Sequence, residues 1–179
     1  KRVLEKYTKT VKIRQGESGC PSEKQPQLAL SNLDWSELRQ SKWVLRRMMG
    51  DLGRDFESMV FAMMDMIYAG KDASSINRKG LLYTDTNHQV EKIKKAYYGV
   101  QNTAAIFDHS LERIKDADIS VDYTNRTSAY LYSKVKGGDQ LIVLWDRSAM
   151  PVDSVETANA KVTVKGCTIK DPVWVDLIT

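Results

Sequence analysis

The five residues Gln15-Gly16-Glu17-Ser18-Gly19 set a carboxylate between two glycines. They close residues 10–15, where Val11, Ile13 and Gln15 alternate with Lys12 and Arg14 as in a short strand. A carboxylate on a loop at the carboxyl end of a strand can face a cleft and work there as acid, base or nucleophile. The flanking glycines let the backbone turn sharply and let a ligand come close. The plain alternative is a solvated turn, which is what such residues most often make.

Few other side chains have the types or spacing for chemistry. The two cysteines, Cys20 and Cys167, would pair only if the fold brought them together, which their separation does not decide. Cys20 stands near Glu17, but no neighbour marks a lowered thiol pKa, so it reads as a bystander. His88 and His109 lack the cysteine spacing of a zinc site, and the sequence calls for no metal or cofactor. Clusters such as Lys92-Ile93-Lys94-Lys95 read as a solvated face. With a net charge of only +4, they give nucleic-acid binding no support.

The elements that must position Glu17 follow from periodicity. With 42% hydrophobic and 28% charged residues, the 179-residue chain suits one globular domain or two small ones. No apolar run approaches the roughly 20 residues of a membrane span, and the first residues lack the apolar core of a signal peptide. Residues 1–8 carry Val3, Leu4 and Tyr7 at the spacing of a helix end. After a polar loop at 18–33, Asp34 and Glu37 have capping-box spacing and open a helix. Its apolar stripe is Trp35, Leu38, Leu45, Met48, Met49 and Leu52, and Gly50 and Gly53 end it. Residues 58–66 form a nearly unbroken apolar run, favoured as a strand buried on both faces over a buried helical turn. A second amphipathic helix, begun near Thr86 or Asn87, carries Val90, Ile93, Tyr97, Val100, Ala104 and Phe107.

Beyond about residue 108 the pattern changes to strands at 119–123, 129–135, 141–145, 161–164 and 173–178, with a tight turn at Gly137-Gly138-Asp139. Strand-helix-strand-helix is thus followed by an all-β stretch, which predicts a small antiparallel sandwich.

This order resembles the C-terminal part of a clan A retaining glycoside hydrolase, a (β/α)8 barrel followed by a β-sandwich. The likeness lies in residues 15–19, in Gln40-Ser41-Lys42-Trp43-Val44-Leu45-Arg46-Arg47, and in Lys95-Ala96-Tyr97-Tyr98-Gly99-Val100-Gln101-Asn102. It extends to Ala105-Ile106-Phe107-Asp108 and Pro172-Val173-Trp174-Val175-Asp176. The fold class it implies is α/β plus all-β. Residues 1–109 would be the last two β/α units of a TIM barrel, with strands seven (10–17) and eight (58–66). Residues 110–179 would be a truncated β-sandwich. The clan carries its nucleophilic glutamate at the end of strand seven, and Glu17 is the matching residue. Its general acid/base lies at the end of strand four, and no such strand is present here.

Retaining hydrolysis needs two carboxyl groups about 5 to 5.5 Å apart, one attacking the anomeric carbon and the other moving the proton. The resemblance therefore implies a carbohydrate substrate and a partner, either the N-terminal part of the same enzyme or a second chain completing the barrel. Nucleic acid and membrane are not implied, and no cofactor is needed. Gln15, Asp65 and Tyr68 would share the rim as substrate-binding residues: Asp65 bonding hydroxyls, Tyr68 stacking on a sugar face. The alternatives are a loop carboxylate and a half-buried loop aromatic. Trp35 and Trp43 read as packing, and so do Trp145 and Trp174 on the sandwich strands.

If Glu17 faces inward, strand alternation also turns Gln15 inward and puts Lys12 and Arg14 against the helices, where charge is costly. A bulge at Gly16 would reset the alternation and turn Arg14 to the site instead. Both ends of the chain read as cut, the last within a strand. Sugar polymers outside a bacterial cell, met by secreted or periplasmic enzymes, are the usual diet of such a protein. Two other functions compete: a non-catalytic carbohydrate-binding or interaction module, and an unrelated α+β domain.

Overall fold

A computed structural model describes residues 3–26, 30–68, 76–123, 126–147 and 150–178. Its architecture is mixed, two α-helices with several antiparallel sheets. Among the described residues the amino end makes a 3-10 turn over Leu4–Lys6. Helix α1 spans Glu37–Leu52. Its cap is Ser36, whose side chain accepts from the Arg39 amide at 3.1 Å, two residues later than the expected Asp34. Asp34 instead accepts from the Gln25 amide, outside the helix.

Half of the expected apolar stripe is buried: Trp35, Leu45 and Met49 are inside, joined by Val44 and by the polar Gln40 and Ser41. The core gathers Cys20, Trp35 and Val44, with Leu33, Trp43, Met48, Val60 and Val100 packed on it. Trp35, just before the helix cap, and Trp43, on α1, are therefore packing residues, as expected. Gly50 lies within α1, and Gly53 caps it at φ −65°. That φ is open to any residue. What requires glycine is the ring of Tyr130, which a Cβ at Gly53 would meet at 2.2 Å.

The run at 58–66 is neither a helix nor a regular strand. It makes bridges rather than a continuous ladder: Met64 with Leu82 in parallel, Met66 with Asn77 antiparallel. At its start, Arg14 bridges Glu57 in parallel, the Gln15 amide donates to the Glu57 carbonyl at 2.9 Å, and the Phe61 amide donates to Ser18 at 2.7 Å. Residues 14–18 and 57–61 thus lie side by side in the same direction, with α1 between them in sequence. Met59, Met63 and Met64 are exposed, Met63 at 58%, so the expected burial on both faces is not met within this chain.

Strands β1 (Leu82–Thr84) and β2 (Val90–Ile93) form a hairpin where the second helix was expected to begin. The cause is local. Asp85 accepts the amides of Asn87 and Gln89 at 2.9 and 2.7 Å, and His88 takes φ +62°. These contacts favour a turn over a helix start. Val90 and Ile93 then pair with Thr84 and Leu82. Helix α2 spans Lys95–Ile106 and packs on α1 where Gly99 meets Leu45. Glu37 of α1 accepts the Lys95 amide at 3.3 Å, an acid at a helix N-terminus where the dipole favours it.

The all-β part contains one antiparallel sheet of β3 (Leu111–Arg113), β5 (Thr127–Lys134) and β6 (Gln140–Asp146), in the order β3-β5-β6. A second pairs β4 (Ile119–Asp122) with β7 (Lys161–Val164). Gly137 and Gly138 take φ +113° and +77° in the β5–β6 turn, as their sequence predicts. Segment 173–178 forms no strand, and Trp174 is 79% exposed rather than packed. Trp145 on β6 lies 5.8 Å from the Tyr130 ring. Asp55, just past α1, forms a two-bond ion pair with Arg113 at 2.9 and 2.7 Å, joining the helical part to β3.

Candidate functional site

Glu17 sits on an exposed turn beside the parallel segments. Its two glycines serve different ends. A Cβ at Gly16 would meet nothing within 4 Å, whereas one at Gly19 would lie 2.0 Å from the Phe61 carbonyl oxygen. Gly19 therefore lets the turn close onto residue 61, and Gly16 leaves the other side open. Among the described residues no side chain bonds or pairs with the Glu17 carboxylate.

Gln15 turns towards helix α1. Its carboxamide oxygen accepts from the Arg47 guanidinium, and its nitrogen donates to the main-chain oxygen of Glu17. Arg14 pairs with Glu57 instead. Gln15 is thus engaged with protein at both ends of its amide, not free at a rim.

Asp65 lies elsewhere than at an open rim, with only 2% of its surface exposed. One carboxylate oxygen accepts from Lys94 at 2.6 Å and from the Gly80 amide at 2.9 Å; the other pairs with Arg78 at 3.0 Å. The Lys94 ammonium is fully buried, and burial pulls its pKa below the usual lysine value while Asp65 opposes that shift. Arg78 also stacks on Tyr83, 4.0 Å from the ring centre. Gly80 has no room for a side chain: a Cβ would stand 2.2 Å from the Asp65 nitrogen. Asp65 is a buried anchor, with its acceptors occupied by protein donors.

Tyr68 is partly exposed, and its hydroxyl accepts from Asn77 at 2.8 Å. Cys20 is buried in the core, and burial drives its thiol pKa far up despite Lys79 and Lys94, which keeps it protonated and inert. Cys167 is exposed, and both cysteines are free. Among the described residues no group of three or more His, Cys, Asp or Glu could hold a metal ion.

Sequence reasoning missed Arg47, Arg78 and Lys94. Lys94 lies in a cluster that reads as a solvated face, and nothing in its spacing separates it from its exposed neighbours Lys92 and Lys95. Glu23 was also missed. It borders an open cleft of about 510 Å³ with Trp35, Glu37, Lys95 and Asp153. Burial raises its carboxyl pKa, and Arg78 lowers it. No protein-family model, curated protein or solved structure matches the chain.

Proposed function

We propose that this chain is the C-terminal part of a retaining glycoside hydrolase, with Glu17 as the nucleophile and a barrel completed by strands outside it. The observation that carries the proposal is an exposed carboxylate with no bonded partner among the described residues, on a turn next to parallel-paired segments linked through a helix. A strand, a helix and a parallel strand in that order are the repeating unit of such barrels. Glu17 attacks the anomeric carbon, and a second carboxyl group supplied by the missing strands protonates the leaving oxygen and then activates water. In this reading the second carboxyl group lies outside the chain, and the chain alone hydrolyses nothing by this route. The all-β part is an accessory sandwich.

The test is Glu17→Gln in the assembled enzyme. Turnover should fall by at least about three orders of magnitude, since a carboxamide cannot form the glycosyl ester. Near-normal turnover would sink the assignment.

A second reading is favoured by Trp174, whose exposed ring offers a face on which a sugar can stack. There the chain is a carbohydrate-binding module and Glu17 is dispensable. Quenching of tryptophan fluorescence by oligosaccharides, abolished in Trp174→Ala, would support it.

A further inference from the structure

We propose that Arg47 is a positioning residue for the Glu17 turn and acts through Gln15; its catalytic meaning rests on the glycosidase reading above. The arrangement starts at the end of α1. Asp51 is buried in the last turn of that helix, where the dipole disfavours a carboxylate and burial adds to the cost. Two donors offset this: the Arg47 Nε, one helical turn back, at 3.2 Å, and the Ser58 hydroxyl at 3.1 Å. The guanidinium is planar, so fixing Nε on Asp51 also fixes the direction of the terminal nitrogen that donates to Gln15.

Gln15 can then orient in only one way. Its oxygen must face Arg47, which leaves its nitrogen to donate to the Glu17 carbonyl. Its own backbone amide is held by Glu57 at 2.9 Å.

The turn is therefore held from two directions. Residues 18 and 19 are pinned on residue 61, by the Ser18–Phe61 hydrogen bond at 2.7 Å and the tight fit of Gly19. Residue 17 is held through Gln15 by Arg47, across Gly16, where a side chain would meet nothing within 4 Å. Without the clamp, Gly16 becomes a hinge directly before the carboxylate. Arg47 bonds Asp51 and the Gln15 side chain, and among the described residues it makes no bond to the Glu17 carboxylate.

The test is ¹⁵N relaxation of this chain in wild-type, Arg47→Ala, Arg47→Lys and Gln15→Leu forms. In both Arg47→Ala and Gln15→Leu, amide order parameters at Gly16 and Glu17 should fall from about 0.85 to below about 0.6. Ser18, Gly19 and the amides of α1 should stay as they are. Arg47→Lys should recover part of the order, because an ammonium keeps a donor but not the fork. Unchanged order at Gly16 and Glu17 in either loss variant overturns the proposal, and so does loosening spread evenly over α1. Arg47→Ala also removes one of the two donors of the buried Asp51; Gln15→Leu gives the same answer without touching the helix.

In the assembled enzyme, Arg47→Ala should lower kcat by roughly 10- to 100-fold with little change in KM, the mark of a misplaced catalytic group. The two readings fail separately. A loosened turn in Arg47→Ala with normal turnover in Glu17→Gln keeps the clamp and removes the glycosidase. An unmoved turn with an inactive Glu17→Gln removes the clamp alone.

Discussion

Glu17 and Asp65 are the same kind of group, a carboxylate on irregular backbone beside an isolated β-bridge. Their surroundings make them opposites. Asp65 is buried and meets two cations and a backbone amide, so its charge is already neutralised. Glu17 is exposed, and its fixed contacts run through its backbone, not its carboxylate. A carboxylate whose acceptors are all occupied holds the fold together. One left unpaired on a braced turn is available to a ligand. The difference lies in the donors around each residue and not in the residue.

That contrast can be broken most sharply from the buried side. Asp65→Ala leaves Lys94 and Arg78 without their shared anion in a buried place. It should cost about 3–5 kcal/mol of stability, read as a lower midpoint in urea unfolding. A loss under about 1 kcal/mol would mean the cluster is solvated and the two carboxylates are not so different. Gly80→Ala should cost about 1–3 kcal/mol by forcing the Asp65 backbone aside, again measured by urea unfolding. Glu17→Gln should change stability by no more than about 0.5 kcal/mol, as expected for an exposed residue outside any network.

The smallest effect concerns a third carboxylate, Asp85, which is exposed yet bonded. Its backbone donors, Gln89 first, hold its pKa below the usual 3.8. A depressed folded pKa means that its support of the β1–β2 turn is present above pH 3.8 and is lost as pH falls through the lower folded value. Amide shifts of Asn87 and Gln89 should move together in that acid window. A titration centred at or above pH 3.8 would contradict the bonding described.

How much of this was legible beforehand follows from the same local physics. The Gly137-Gly138 turn and the strands at 119–122, 127–134, 140–146 and 161–164 are visible because alternation and positive-φ glycines are signals within one segment. Helix α1 is legible as a stripe, but its cap is displaced to Ser36. The β1–β2 hairpin is not legible, because Val90 and Ile93 fit a helical stripe as well as a strand. The Asp85 turn that decides between them depends on side-chain bonds. At the site, Glu17 is legible as a carboxylate on a glycine-flanked turn. The burial of Asp65 is not, since it depends on Lys94 and Gly80, which are 29 and 15 residues further on. Segment 173–178 carries strand-forming residues but has no partner strand within the described chain, and propensity alone does not make a strand.

The most direct measurement is peptide mapping of the assembled enzyme after reaction with fluorinated glycosides that trap a glycosyl-enzyme. The account predicts one added glycosyl group, on Glu17, with Asp65 unmodified. A trapped sugar on any other carboxylate, or steady turnover with Glu17 never labelled, would contradict it.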